Sequence, residues 1–122
     1  MDPIVFTLTL EIQQGKLDVY KEAAEKSVAF LNKNGPQLMV GIFIDEENMR
    51  ARSLQVHRDS ESILASWKIA DSYMRDVMQY ITTTRVDIFG QPNEEVMEGM
   101  RRLSGMGAVL EVIPRYAGFE RF

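Results

Sequence analysis

Residues 54–67, LQVHRDSESILASW, contain the change of period that decides the fold. Up to Val56 and His57 the chain alternates as a strand. From Asp59 or Ser60, either of which can cap a helix through its side-chain oxygen, apolar residues recur every three or four positions. The stripe Ile63, Trp67, Ala70, Met74, Val77 or Met78 and Ile81 is the most regular in the chain and predicts about six turns of helix.

Working back, LMVGIFI over 38–44 reads as a strand, and Asp45, Glu46, Glu47 and Asn48 make a polar turn, so the two strands form a hairpin. Before it, Leu17, Tyr20, Ala24, Ser27 or Val28 and Leu31 predict a helix over 16–33. Asn34, Gly35 and Pro36 stop that helix, through a left-handed cap and a residue that cannot continue it. The first segment, IVFTLTLEI over 4–12, puts Ile4, Phe6, Leu8, Leu10 and Ile12 on one face and Val5, Thr7, Thr9 and Glu11 on the other. Working forward, TRVDIFG over 84–90 is a strand ended by Gly90. Pro92 and Asn93 open a short helix carrying Val96, Met100 and Leu103, and the chain returns to a strand at 108–114.

The resulting order, β-α-β-β-α-β, with right-handed crossovers, predicts an α+β ferredoxin-like domain: a four-stranded antiparallel sheet with both long helices on one face, plus an appended helix and strand. No repeat or linker divides the chain, so residues 1–122 read as one domain. The second sheet face would bear Val5, Thr7, Thr9, Met39, Phe43, Gln55 and Phe89, too apolar to stay in water. A homodimer packed sheet on sheet is the expected cover, with residues 93–122 reaching over the partner.

Composition narrows the function. A net charge of −4, with 14 basic against 18 acidic residues, argues against a phosphate-binding surface and so against nucleic acid. The absence of cysteine removes thiolate chemistry and cysteine-ligated zinc. No apolar run is long enough to span a membrane, and Asp2 and Pro3 stand where a signal peptide would be basic, so a cytoplasmic protein is expected. Gly105-Met106-Gly107 lacks a third glycine and joins a helix to a strand, the reverse of a phosphate-binding loop.

Three stretches carry a resemblance: LQVHRDSESILASW, VDIFGQPNEEV and the closing YAGFERF. With the element order, they make the chain similar to the antibiotic biosynthesis monooxygenase-like branch of the dimeric α/β-barrel superfamily. That superfamily includes cofactor-independent monooxygenases of polyaromatic substrates, heme-degrading enzymes, quinol oxygenases and muconolactone isomerases, so the resemblance implies a shape more than a reaction. Heme-degrading members carry an Asn on the first strand and a His ten residues after a helical Trp. Here no Asn lies between Ile4 and Ile12, and Val77 stands ten residues after Trp67. No cofactor is expected.

His57, the only histidine, reads as a general base or ligand contact, or else as an exposed strand end or dimer contact. A metal site joining it to Glu11 and Glu111 is opposed by the antiparallel pairing, which separates His57 from Glu11 by roughly 15 to 20 Å. If Val86 and Ile88 face the helices, Asp87 and Phe89 share the open face with Gln55 and His57, and Asp87 and His57 could bracket a small ligand or satisfy polar groups at an interface. Trp67, Met74 and Met78, with Phe6 and Tyr20, could wall a cavity for an apolar or aromatic molecule, where the resemblance places substrates, or simply fill a core. Two functions follow: a cofactor-independent monooxygenase-like protein acting on a small aromatic or apolar substrate, or a non-catalytic ligand-binding or structural homodimer.

Overall fold

The computed structural model describes residues 2–104 and 107–122. Gly105 and Met106 of the glycine pair, and the side chain of Leu103, lie outside what is described. In chain order the elements are β1 (Ile4–Ile12), α1 (Leu17–Asn34), β2 (Met39–Asp45), β3 (Arg50–His57), α2 (Ser60–Met78), β4 (Ile81–Phe89), α3 (Glu94–Ser104) and β5 (Val109–Ile113). The sheet order is β2-β3-β1-β4-β5. The first four strands are antiparallel, as in the ferredoxin-like layout, and β5 adds to β4 in parallel after the α3 crossover.

Local chemistry explains the boundaries. Asp59 is the cap of α2, accepting a hydrogen bond from the Ser62 backbone N–H at 2.9 Å. Asn93 does the same for α3 through the Val96 N–H at 3.0 Å. Two sequence expectations need correcting. Gly35 ends α1 in an extended conformation, with φ −85° and ψ 155°, so no left-handed cap is used there. Ile81 opens β4 instead of closing α2, because the run Ile81-Thr82-Thr83-Thr84 is β-branched and pairs with the far end of β1, Ile12 opposite Ile81. Thr84 is the extra residue of a bulge between Thr9 and Leu10, and its hydroxyl donates to the Thr9 carbonyl at 3.2 Å.

Alternation on β1 sorts the layers. Ile4, Phe6, Leu8, Leu10 and Ile12 are all buried under the helices, with Val86 and Ile88 of β4, Ile63 and Ala70 of α2, and Val96 and Met100 of α3. Phe30 of α1 stacks on Tyr73 of α2, centroids 4.4 Å apart, and ties the two long helices together. The other face exposes Met39, Phe43, Phe89, Val109 and Ile113 around an ionic cluster. In that cluster Arg85 Nε donates to both Asp87 carboxylate oxygens at 3.0 and 2.9 Å, and its Nη2 donates to Glu111 Oε2 at 2.7 Å. Beyond β5, Tyr116, Phe119 and Phe122 are exposed, and Arg115 pairs with Asp2 and Glu120.

Candidate functional site: a cavity between helices and sheet

Register decides which face each polar side chain of β3 takes, since directly opposed residues share a face. Ile4 pairs with His57 and Phe6 with Gln55, so His57 and Gln55 point under the helices with Ile4 and Phe6. This corrects the expectation that both share the open face with Asp87. Asp87 pairs with Thr7 on the opposite side and is held by Arg85, so His57 and Asp87 cannot bracket one ligand. Nor is His57 an exposed strand end, for it is fully buried.

Under the helices, a polar chain runs through otherwise apolar surroundings. Gln37 Nε2 donates to Ser66 Oγ at 2.6 Å and to Gln55 Oε1 at 3.1 Å. Gln55 Oε1 also accepts from His57 Nε2 at 3.0 Å, which puts the ring proton on Nε2 and leaves Nδ1 to accept from the Ser62 hydroxyl at 2.7 Å. Phe6 stacks on the imidazole with centroids 5.6 Å apart. Burial pushes the His57 pKa down to about 4, with the nearby Asp59 charge opposing the shift, so the ring is neutral at neutral pH. It is a fixed connector and not a ready proton acceptor.

A cavity of about 200 Å³ opens beside this chain, lined by Phe6, Leu8, Leu31, Gln55, Ser66, Trp67, Ala70, Asp71, Met74, Gly99, Met100 and Arg102. Three small residues, Ser66 and Ala70 on α2 and Gly99 on α3, leave room in its lining, and Gly99 lets the Trp67 ring lie against α3. A second, smaller cavity of about 70 Å³ adjoins it, walled by Tyr20, Val28, Ile42, Ser53, Met78 and others. Leu8, Leu31, Gln55 and Met74 line both. Burial pushes the Tyr20 hydroxyl up from the ordinary phenol value, so it remains protonated.

Of the residues expected around a cavity, the structure puts Phe6, Trp67 and Met74 on the larger one and Tyr20, Met74 and Met78 on the smaller. His57 lines neither and reaches them through its hydrogen bond to Gln55 and its stacking on Phe6. Sequence reading missed Gln37, Gln55, Ser66, Gly99 and Arg102. A signal for part of the set was present: Ser53, Gln55 and His57 recur at period two, and Ser62 and Ser66 at period four, on faces that otherwise turn inward. No group of three or more His, Asp or Glu side chains placed to hold a metal occurs among the described residues. No described helix is long and apolar enough to cross a membrane.

Comparison with solved structures defines the architecture. MupZ from Pseudomonas fluorescens superposes with a TM-score of 0.77 at 16% identity, over 99% of this chain and 96% of that one. SnoaB, a cofactor-independent oxygenase from Streptomyces nogalater, matches at 0.63 and 9% identity, over 76% of this chain and 96% of its own. A candidate antibiotic biosynthesis monooxygenase from Caulobacter crescentus matches at 0.61 and 13%, over 70% and 84%. No protein-family model and no curated protein matches the chain. At such identities the likeness carries fold and not chemistry: the chain shares the ferredoxin-like α+β fold of these structures, antibiotic biosynthesis monooxygenase-like proteins among them.

Proposed function

We propose that this protein binds a small aromatic or apolar molecule in the cavity beside Trp67 and oxygenates it without a cofactor. The observation that supports this reading is the pairing of a mostly apolar cavity with an unspent donor. Gln55 is 7% exposed and its Oε1 is doubly occupied, while among the described residues its amide nitrogen donates no hydrogen bond. Among the described residues the one buried side-chain polar atom without a partner is Gln37 Oε1, so the Gln55 amide nitrogen is open to the cavities that Gln55 lines. An N–H aimed into an apolar space suits a carbonyl or phenolate oxygen on a bound ring.

Oxygenation of this kind needs only a substrate whose ionised form can reduce oxygen, in a shaped, dry space. For a ring CH₂ activated by an adjacent carbonyl, one atom of O₂ becomes the new carbonyl oxygen and the other leaves as water with the two hydrogens. The Gln55 N–H would stabilise the enolate formed on proton loss, and neutral His57, with Ser62 behind it, would hold the Gln55 carboxamide in place. The protein would act as a homodimer, since the exposed Met39, Phe43, Phe89, Val109 and Ile113 of the sheet call for a cover that a second copy supplies by symmetry.

One observation favours a non-catalytic ligand-binding dimer instead: the titratable groups on the larger cavity are Asp71, already paired with Arg75, and Arg102, neither of which is a general base. Oxygen uptake by the purified protein with naphthol, quinol and anthrone substrates separates the two. Turnover lost in Trp67→Ala and Gln55→Leu is the expected result. Binding without uptake across the panel would leave a binding module.

A further inference from the structure

The cavity's mouth carries a charge that no ion pair among the described residues answers. Arg102 of α3 lines it and forms no ion pair among the described residues, whereas its neighbour Arg101 is held by Glu94 at 2.6 Å. The one acid on the same rim, Asp71, is engaged by Arg75 one turn along α2. An uncompensated guanidinium beside an apolar space is stabilised by a carboxylate, which it can hold through two parallel N–H···O bonds. Deeper in, the unspent Gln55 amide faces the same space. Size sets the rest: a benzene ring fills a cavity of about 150 Å³, and this one is about 200 Å³, with Met74 as the flexible partition to the smaller cavity behind it.

Taking the cavity as a ligand site, as proposed above, we infer that its ligand is an aromatic carboxylate of one or two rings, seated with its ring on Trp67 and its carboxylate on Arg102. The chain's net charge of −4 repels anions at long range, so any preference for one is local to this arginine. Recognition splits accordingly. The ring supplies apolar burial that a neutral analogue retains, and the carboxylate adds a term specific to residue 102.

Calorimetric titration with naphthoate and with its neutral counterpart naphthamide tests this, using the intact chain and two exposed variants, Arg102→Gln and Arg101→Gln. The unaltered protein should bind naphthoate about five- to tenfold more tightly than naphthamide. Arg102→Gln should abolish that preference and leave naphthamide unchanged, Arg101→Gln should keep it, and anthracene carboxylate, one ring larger, should bind several-fold more weakly than naphthoate. Equal binding of acid and amide, or a preference that survives Arg102→Gln, would overturn the carboxylate assignment while leaving the cavity as a ligand site. Tighter binding of the three-ring acid would overturn the size limit. Failure of both naphthalene probes to bind, with no change in Trp67 emission, would remove the ligand site and this inference together.

Discussion

Gly99 lies directly under the indole of Trp67: a methyl group at position 99 would overlap Cζ3 and stand 2.7 Å from Cη2. The relationship is between a helix that gives up a side chain and the aromatic that takes its place, and it shapes the wall of the larger cavity. Gly in a helix interior ordinarily costs about 1 kcal/mol relative to Ala, whereas forcing a methyl into filled space costs about 1–3 kcal/mol. The second effect should win in Gly99→Ala. The variant is expected to be no more stable than the parent, and emission from the single tryptophan should shift as the ring leaves its seat. A gain of the full helix-propensity increment with unchanged emission would show that the ring does not rest there.

Stability should fall with acid through His57. Its folded pKa, depressed to about 4 from an unfolded 6.5, means the unfolded chain binds the proton more readily. The contribution is therefore whole above about pH 6.5 and is lost as pH falls towards 4, to a limit of about 3 kcal/mol. Urea unfolding of the parent and of His57→Gln at a series of pH values checks this. The parent should lose stability more steeply across that window, and parallel curves would contradict it.

Gln55→Leu should be costly as well as disabling. It strips the acceptor from His57 Nε2–H and one of two acceptors from the Gln37 amide, which keeps Ser66, and the buried imidazole donor left without a partner costs about 1–3 kcal/mol. Thermal unfolding should show a clear drop. Gln55→Glu keeps an acceptor but buries a carboxylate, so it should raise the His57 pKa, readable from imidazole proton shifts in NMR titration.

Phe43 is 57% exposed at the edge strand, so Phe43→Glu has little packing to lose within one chain. If a second copy covers this face, the charge would be desolvated there and the assembly should dissociate. Light scattering should then give one chain's mass for a folded variant and twice that for the parent. An unchanged mass for the variant would count against this interface.

Much of the scaffold was legible in order and period. β1 alternates without a break, and α2 keeps its stripe from Ile63 to Met74, because burial on one side demands a period of two or 3.6. Boundaries went astray where a residue suits two elements: Ile81 extends the α2 stripe in sequence but is the first residue of β4 in space. The site was legible only in part. Trp67, Phe6, Met74, Tyr20 and Met78 stand on apolar stripes, so periodicity could bring them near one another. It could not divide them between two cavities.

What the sequence determined by itself is the element order, the helix starts at Asp59 or Ser60 and at Pro92–Asn93, and the apolar faces, since these depend on residues a few positions apart. Tertiary structure alone decided the register of β3 on β1, and with it the chemistry of the site. A shift of one residue moves every side chain to the other face, and the pairing of Ile4 with His57 puts the histidine and Gln55 beneath the helices, away from the Asp87 they were expected to join. The seating of Trp67 on Gly99 and the placing of Arg102 at the cavity mouth depend likewise on where α3 packs against α2, a choice made by burying Val96 and Met100 against the shared core.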